Sequence, residues 1–202
     1  MFDARLRPLI DPPLNRAGRW LAARGISANA LTLGGLALGL LAAVAVARGQ
    51  QGPAIALILA CRLLDGLDGA VARASGKTAF GGYLDILADF LFYVSVPLAF
   101  ATLAPANLLP AAILLASFAL TGVSFLALAS VAAEAGLSTT AHGQKSYFYS
   151  TGLAEGGETI AFFLAMCLWP ERFPHLSAAF ALLCALTVLQ RTLLARHLLR
   201  DS

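Results

Sequence analysis

Apolar residues run through this chain in blocks of about 20, the length an α-helix needs to cross a hydrocarbon layer of roughly 30 Å. The blocks fall at approximately 28–47, 53–73, 80–103, 108–132, 150–168 and 175–194, and several of them hold few or no charges. Ahead of the first block, residues 1 to 25 mix Arg5, Arg7, Arg16, Arg19 and Arg24 with Leu6, Leu9, Ile10, Leu14, Trp20 and Leu21. Pro12-Pro13 is expected to break this stretch into a short lead-in and an amphipathic helix over about 14 to 24, lying in the headgroup plane. The expected fold is all-α and integral to the membrane, with about six transmembrane helices and an N-terminal amphipathic interfacial helix. Residues 1–27 form the lead-in and 28–202 the membrane domain.

Composition agrees with this pattern. The 202 residues are 59% hydrophobic and 12% charged, against about 25% charged in soluble domains. No short apolar core precedes the arginines, so no cleavable signal is expected. Lys and Arg in short connections set the orientation. One side collects the N-terminal arginines with Arg73, Lys77, Lys145, Arg196 and Arg200, and the other has Arg48 and Arg172. Both termini are therefore expected in the cytoplasm. Cys61, Cys167 and Cys184 show no metal-type spacing and read as packing residues. Gly35 and Gly39 form a G-x-x-x-G suited to close helix packing. Nothing supports a role with nucleic acid.

Ionisable groups inside apolar spans are costly, and this chain concentrates them: Arg62, Asp65, Asp68 and Arg73 near the end of the second span, then Asp85 and Asp89 in the third. Asp65 and Asp68 are three apart and share a helical face with Gly69 and Ala72, while Gly81, Asp85 and Asp89 step by four along another. The short link from Ala74 to Ala79 predicts antiparallel neighbours whose carboxylates meet near the cytoplasmic end. Such a cluster resists desolvation unless something positive sits within it. Oxygen donors without His or Cys suit Mg²⁺ or Mn²⁺, cations that bridge carboxylates and phosphate oxygens. Small residues at Gly69, Ala72, Gly81 and Gly82 allow a phosphate group close to the backbone, and Arg73 offers a guanidinium fork.

The run Asp65-Gly-Leu-Asp68-Gly69-Ala-Val-Ala72-Arg73, followed after seven residues by Gly81-x-x-x-Asp85-x-x-x-Asp89, resembles the signature of the CDP-alcohol phosphatidyltransferase family. Every fixed position is present. The gap between Arg73 and Gly81 is one residue shorter than is common in the family, which alters the loop around Lys77. The overall pattern looks like a bacterial inner-membrane branch. The resemblance implies that Asp65, Asp68, Asp85 and Asp89 hold metal, with two ions expected, and that Asp89 is also the general base on the acceptor hydroxyl. It implies that Asp65, Gly69, Ala72, Arg73 and Gly81 line the CDP site. Ser27-Ala-Asn29-Ala-Leu-Thr32 resembles the family's Pro-Asn-x-Leu-Thr segment near the nucleotide, which adds Asn29 and Thr32. Capping of the first span by Ser27 or Asn29 explains the same residues equally well. A homodimer is implied by the resemblance alone.

A second polar island, from His142 through Lys145, Tyr147 and Tyr149 to Glu155 and Glu158, leads into the fifth span. Glu155 and Glu158 lie three apart, at the depth expected for the aspartates. Lys145, Glu155 and Glu158 are the candidate acceptor-binding residues. Two glutamates beside one lysine suit a group bearing an amine or many hydroxyls better than a second phosphate. The expected reaction transfers a phosphatidyl group from CDP-diacylglycerol to a polar alcohol and releases CMP. Transfer from a soluble CDP-alcohol to diacylglycerol is the alternative, and a cation carrier the remote one.

Overall fold

The computed structural model describes residues 2–134 and 152–198. Among these residues seven α-helices follow in order: α1 (Phe2–Ala22), α2 (Ala28–Ala47), α3 (Gln51–Ser75), α4 (Ala79–Ala101), α5 (Leu108–Glu134), α6 (Gly156–Leu168) and α7 (Phe173–Leu198), with short 3₁₀ turns at Pro105–Asn107 and Pro170–Arg172. No strand occurs among the described residues. Four segments are long and apolar enough to cross a membrane: Ala28–Ala47, Ala79–Ala101, Pro105–Glu134 and Pro170–His197. At most 39% of the most apolar stretch of any of them is buried inside the protein. Their outward faces are themselves apolar, as along α7, where Leu182, Leu186, Leu189 and Leu193 stand exposed. An exposed surface of this kind matches lipid, not water.

The helices divide into two groups. In the first, α2 is central: α3 packs along one side of it and α4 along another, and α1 lies against α3. The reason is the lack of bulk on α2. A side chain at Gly35 would touch the Cys61 carbonyl and Leu64 of α3 at 3.5 Å, and one at Gly39 would stand 2.7 Å from the Phe92 ring of α4. The G-x-x-x-G pair is thus a packing surface, as its spacing predicted. In the second group α5 pairs with α7, and α6 fits between α3 and α7. Aromatic rings join the groups: Phe163 of α6 stands edge-on to Phe92 of α4 (5.7 Å) and Phe118 of α5 (6.2 Å), and Phe118 is edge-on to Phe180 of α7 (5.6 Å).

Three expectations need correction. Pro12-Pro13 does not break the N-terminal stretch, since α1 is continuous from Phe2 to Ala22. Proline fixes φ near a helical value, so a pair can forfeit two hydrogen bonds and still continue the turn. The fifth span is shorter than 150–168: α6 begins at Gly156 and has 13 residues, because Gly152–Glu155 form an irregular lead-in held by Thr187. Finally, α3 and α4 are not close neighbours along their length, because α2 takes that place. Their carboxylates still meet, but across a gap that side chains span.

Candidate active site

The site forms where the first turns of α2, the last turns of α3 and the first half of α4 converge. Ser27 caps α2 by accepting from the Ala30 N–H (3.2 Å), which fixes the entry of Asn29 and Thr32. Thr78 does the same for α4, accepting from the Gly81 N–H at 3.0 Å. Gly76, with φ of 99°, ends α3 in a conformation that side-chain-bearing residues avoid. Of the two explanations offered for the Ser27–Thr32 segment, the capping one is seen directly, with Ser27 as the cap.

Between these ends lies an open cavity of about 640 Å³. Asn29, Thr32, Asp68, Gly69, Ala72, Arg73, Gly81 and Asp85 are on its wall, with Lys77 at its rim segment Ser75–Thr78. Every residue expected to line the nucleotide site except Asp65 is on this wall. Asp65 borders a smaller space behind it, together with Arg62, Asp68, Asp89 and Phe92. The glycines matter for width. A side chain at Gly81 would come within 3.1 Å of Asn29 Oδ1, and one at Gly69 within 3.3 Å of Arg73 Nη1.

Asp65, Asp68 and Asp85 each present a carboxylate oxygen, and the three atoms lie within 4.8 Å of one another. Asp68 is buried, and its Oδ2 accepts from Thr32 Oγ1 at 2.7 Å, which sets its orientation. Three carboxylates at this separation repel strongly in a weakly polar setting, and a divalent cation between them removes that cost. The donor set fits a hard cation such as Mg²⁺ or Mn²⁺, with no nitrogen or sulfur donor among the three residues. Asp89, one turn beyond Asp85, is not drawn into this trio. Its Oδ1 lies 3.0 Å from Arg62 Nη1, and the same nitrogen is 3.3 Å from Asp65 Oδ2.

Two contacts here were not read from the sequence. The sequence marks Arg62 as an intramembrane charge, but its contact with Asp65 and its bridge to Asp89 on α4 emerge only in the fold. Asn15 of α1 gave no signal at all. Its Oδ1 accepts from Arg73 Nε (3.1 Å) and Nη2 (2.9 Å), so α1 holds a guanidinium at the cavity wall. A close crossing makes this possible: a side chain at Gly18 would stand 2.6 Å from Ala70 Cβ of α3.

Of the second polar island, Glu155 and Glu158 are among the described residues. Lys145, with His142, Tyr147 and Tyr149, lies outside the described residues. Glu155 and Glu158 line neither the large cavity nor the small space behind it. Glu155 Oε1 accepts from the Gly152 N–H at 3.3 Å and lies within electrostatic reach of Arg191. Arg191, half-buried on α7, donates to the Thr121 carbonyl (2.8 Å) and to Ser124 Oγ (3.3 Å) on α5. This ties the end of the second helix group to the lead-in of α6.

The CDP-alcohol phosphatidyltransferase family matches the chain over residues 25–190. The chain belongs to that family. It is 44% identical over 192 residues to inner membrane protein YnjF of Escherichia coli strain K12, covering 95% of this chain and 93% of that protein. It is 40% identical over 94 residues to archaetidylinositol phosphate synthase of Pyrococcus horikoshii, a match spanning 46% of this chain and 50% of the relative. In three dimensions it resembles phosphatidylinositol phosphate synthase of Mycobacterium tuberculosis, solved with CDP-DAG bound, at a TM-score of 0.65 and 21% identity over 91% of this chain and 93% of that one. At that identity the likeness establishes the fold. This CDP-alcohol phosphatidyltransferase is accordingly a multi-pass membrane enzyme, a phosphotransferase of phospholipid synthesis.

Proposed function

We propose that this enzyme transfers the phosphatidyl group of CDP-diacylglycerol to the hydroxyl of a polar alcohol and releases CMP. The observation that carries the reading is the meeting of three carboxylates from two helices, two of them, Asp68 and Asp85, on the wall of a cavity that also holds Arg73 and small residues. The bound CDP-DAG in the mycobacterial structure supports the choice of donor. Asn29, Thr32, Gly69, Ala72, Arg73 and Gly81 bind the CDP group, with Asp65 close behind them. Asp65, Asp68 and Asp85 hold a divalent cation, Mg²⁺ or Mn²⁺, and Asp89 joins them when a second is bound. Bound there, the cation supplies positive charge to the pyrophosphate and to the departing CMP.

The protein's own groups account for the rest. Thr32 keeps the Asp68 carboxylate aimed, and Arg73 offers a fork to phosphate oxygens. Asp89 takes the proton of the acceptor hydroxyl. The acceptor oxygen then bonds to the lipid-bearing phosphorus, and the bond from that phosphorus to the bridging oxygen breaks, leaving the electron pair on CMP. Lys145, Glu155 and Glu158 are proposed to face the acceptor, which then carries an amine or several hydroxyls.

The same reading places α3 and α6 with the four long apolar segments as six spans, behind a lead-in of residues 1–27 that rests in the headgroup plane. Lys and Arg counts favour both termini and the site on the cytoplasmic side of a bacterial-type inner membrane. The working unit is proposed to be a homodimer.

The test is CMP release by purified protein with Mn²⁺ and CDP-diacylglycerol across serine, glycerol, glycerol 3-phosphate, inositol, inositol phosphate, ethanolamine and choline. One acceptor is expected to drive release, EDTA to stop it, and Asp89→Asn to abolish it. Turnover unchanged in Asp89→Asn refutes the assigned base. Release only when a soluble CDP-alcohol and diacylglycerol are supplied reverses donor and acceptor.

A further inference from the structure

Arg62 is built into the acidic cluster. One turn before Asp65, it sends a single nitrogen to carboxylates on two helices, 3.3 Å to Asp65 and 3.0 Å to Asp89. Nη2 is 3.4 Å from Cys61 Sγ, and the guanidinium carbon lies 5.0 Å from the centre of the Phe92 ring. Nε is buried and has no hydrogen-bond partner among the described groups. With its side chain 19% exposed, the arginine is held in place by packing and cannot swing out like a surface residue.

We propose that Arg62 is a resident counter-ion that takes the place of a second divalent cation until substrate binds. This rests on the metal site proposed above. In the substrate-free enzyme, Asp65, Asp68 and Asp85 hold one ion, while Asp89 stays paired with Arg62 and a second ion must compete with the guanidinium. Four ionised carboxylates against one guanidinium leave three negative charges. One divalent cation leaves that balance slightly negative, and two make it positive in a site of low polarity, which is unfavourable. The pyrophosphate of the donor, with about two negative charges, removes the obstacle and admits the second ion. Arg62 is thus a positioning residue: it holds the base before the donor arrives and sets the order of loading.

The experiment is a titration of the full chain in detergent micelles with Mn²⁺ alone, read by electron paramagnetic resonance, which separates isolated ions from exchange-coupled pairs. Wild type is expected to saturate at one uncoupled ion per chain, and to gain a coupled second on addition of CDP-diacylglycerol. Arg62→Gln is expected to take up two coupled ions without substrate, its second-site Kd falling about tenfold or more. Arg62→Lys, which keeps the charge, stays at one. Two coupled ions in substrate-free wild type, or one ion in a folded Arg62→Gln protein, overturns the proposal. Should Arg62→Gln not fold, the wild-type stoichiometry before and after CDP-diacylglycerol decides alone. No Mn²⁺ binding by wild type at all removes the metal-site reading as well, whereas two ions at rest with normal CMP release sinks only the role of Arg62.

Discussion

Asn15 and Arg73 stand 58 positions apart, yet one amide oxygen accepts two hydrogen bonds from one guanidinium. The arginine is exposed, so without this clamp its long side chain would sample many rotamers, and binding a phosphate would have to order it. Asn15→Ala is expected to raise the KM for CDP-diacylglycerol by about three- to tenfold, a loss of roughly 1 kcal/mol, with kcat little changed. Asn15→Asp, which keeps the acceptor oxygen, should stay near wild type. A fall in kcat with unchanged KM would place Asn15 outside donor binding. The meeting of Asp65, Asp68 and Asp85 was foreseeable from the sequence because charge inside an apolar helix is too costly to stand alone. Asn15 was not, since a half-buried asparagine on a helix rich in charged residues costs little and so stands out from nothing. Arg62 lies between these cases: its charge was conspicuous, but its bridge to Asp89 follows from packing across helices.

At the scale of helices, what was legible follows the same division. Boundaries of α2 and α5 were read closely because continuous apolar runs end at polar or Gly/Pro-rich breaks. The start of α6 was misplaced because the run from Gly152 is apolar enough to belong to a span, whereas tertiary hydrogen bonds from the Leu153 and Ala154 N–H groups to the Thr187 hydroxyl, with the Gly152 N–H bonded to Glu155, keep it irregular. The order of packing was also hidden, as a short loop predicts neighbours and α2 separates α3 from α4. Gly39 is what allows α2 into that place, and its substitution is the sharpest test of it. Gly39→Ala would set a methyl 2.7 Å from Phe92, a fully buried ring that also lies under Arg62. We expect a loss of about 1–3 kcal/mol, seen as a lower Tm in detergent, and weakened CMP release as Arg62 shifts. Gly34→Ala on the same helix meets Leu64 Cδ1 at an ordinary 3.5 Å and serves as the control, with Tm unchanged or slightly raised. Equal losses in both variants would mean that α2 is sensitive to lost glycine flexibility and not to this contact.

For the molecule as a whole, orientation fixes which compartment supplies the alcohol and receives CMP. The cavity opens among Gly25–Asn29 and Ser75–Gly82, the ends on which the basic residues Arg24, Arg73 and Lys77 gather, while Arg48 marks the opposite end of α2. Single cysteines can test this with little background, because Cys61, Cys167 and Cys184 are all buried within the bundle. Gln50→Cys, exposed at the start of α3, is expected to react with a membrane-impermeant maleimide in intact bacterial cells. Ser75→Cys, exposed on the cavity wall, should react only in inverted membrane vesicles, and CMP with Mn²⁺ should protect it by filling the space beside it. The reverse pattern would put the site on the outer face, where no CDP-activated donor made in the cytoplasm could reach it without crossing the bilayer. Labelling on the inner side without protection by CMP would keep the orientation and move the nucleotide out of this cavity.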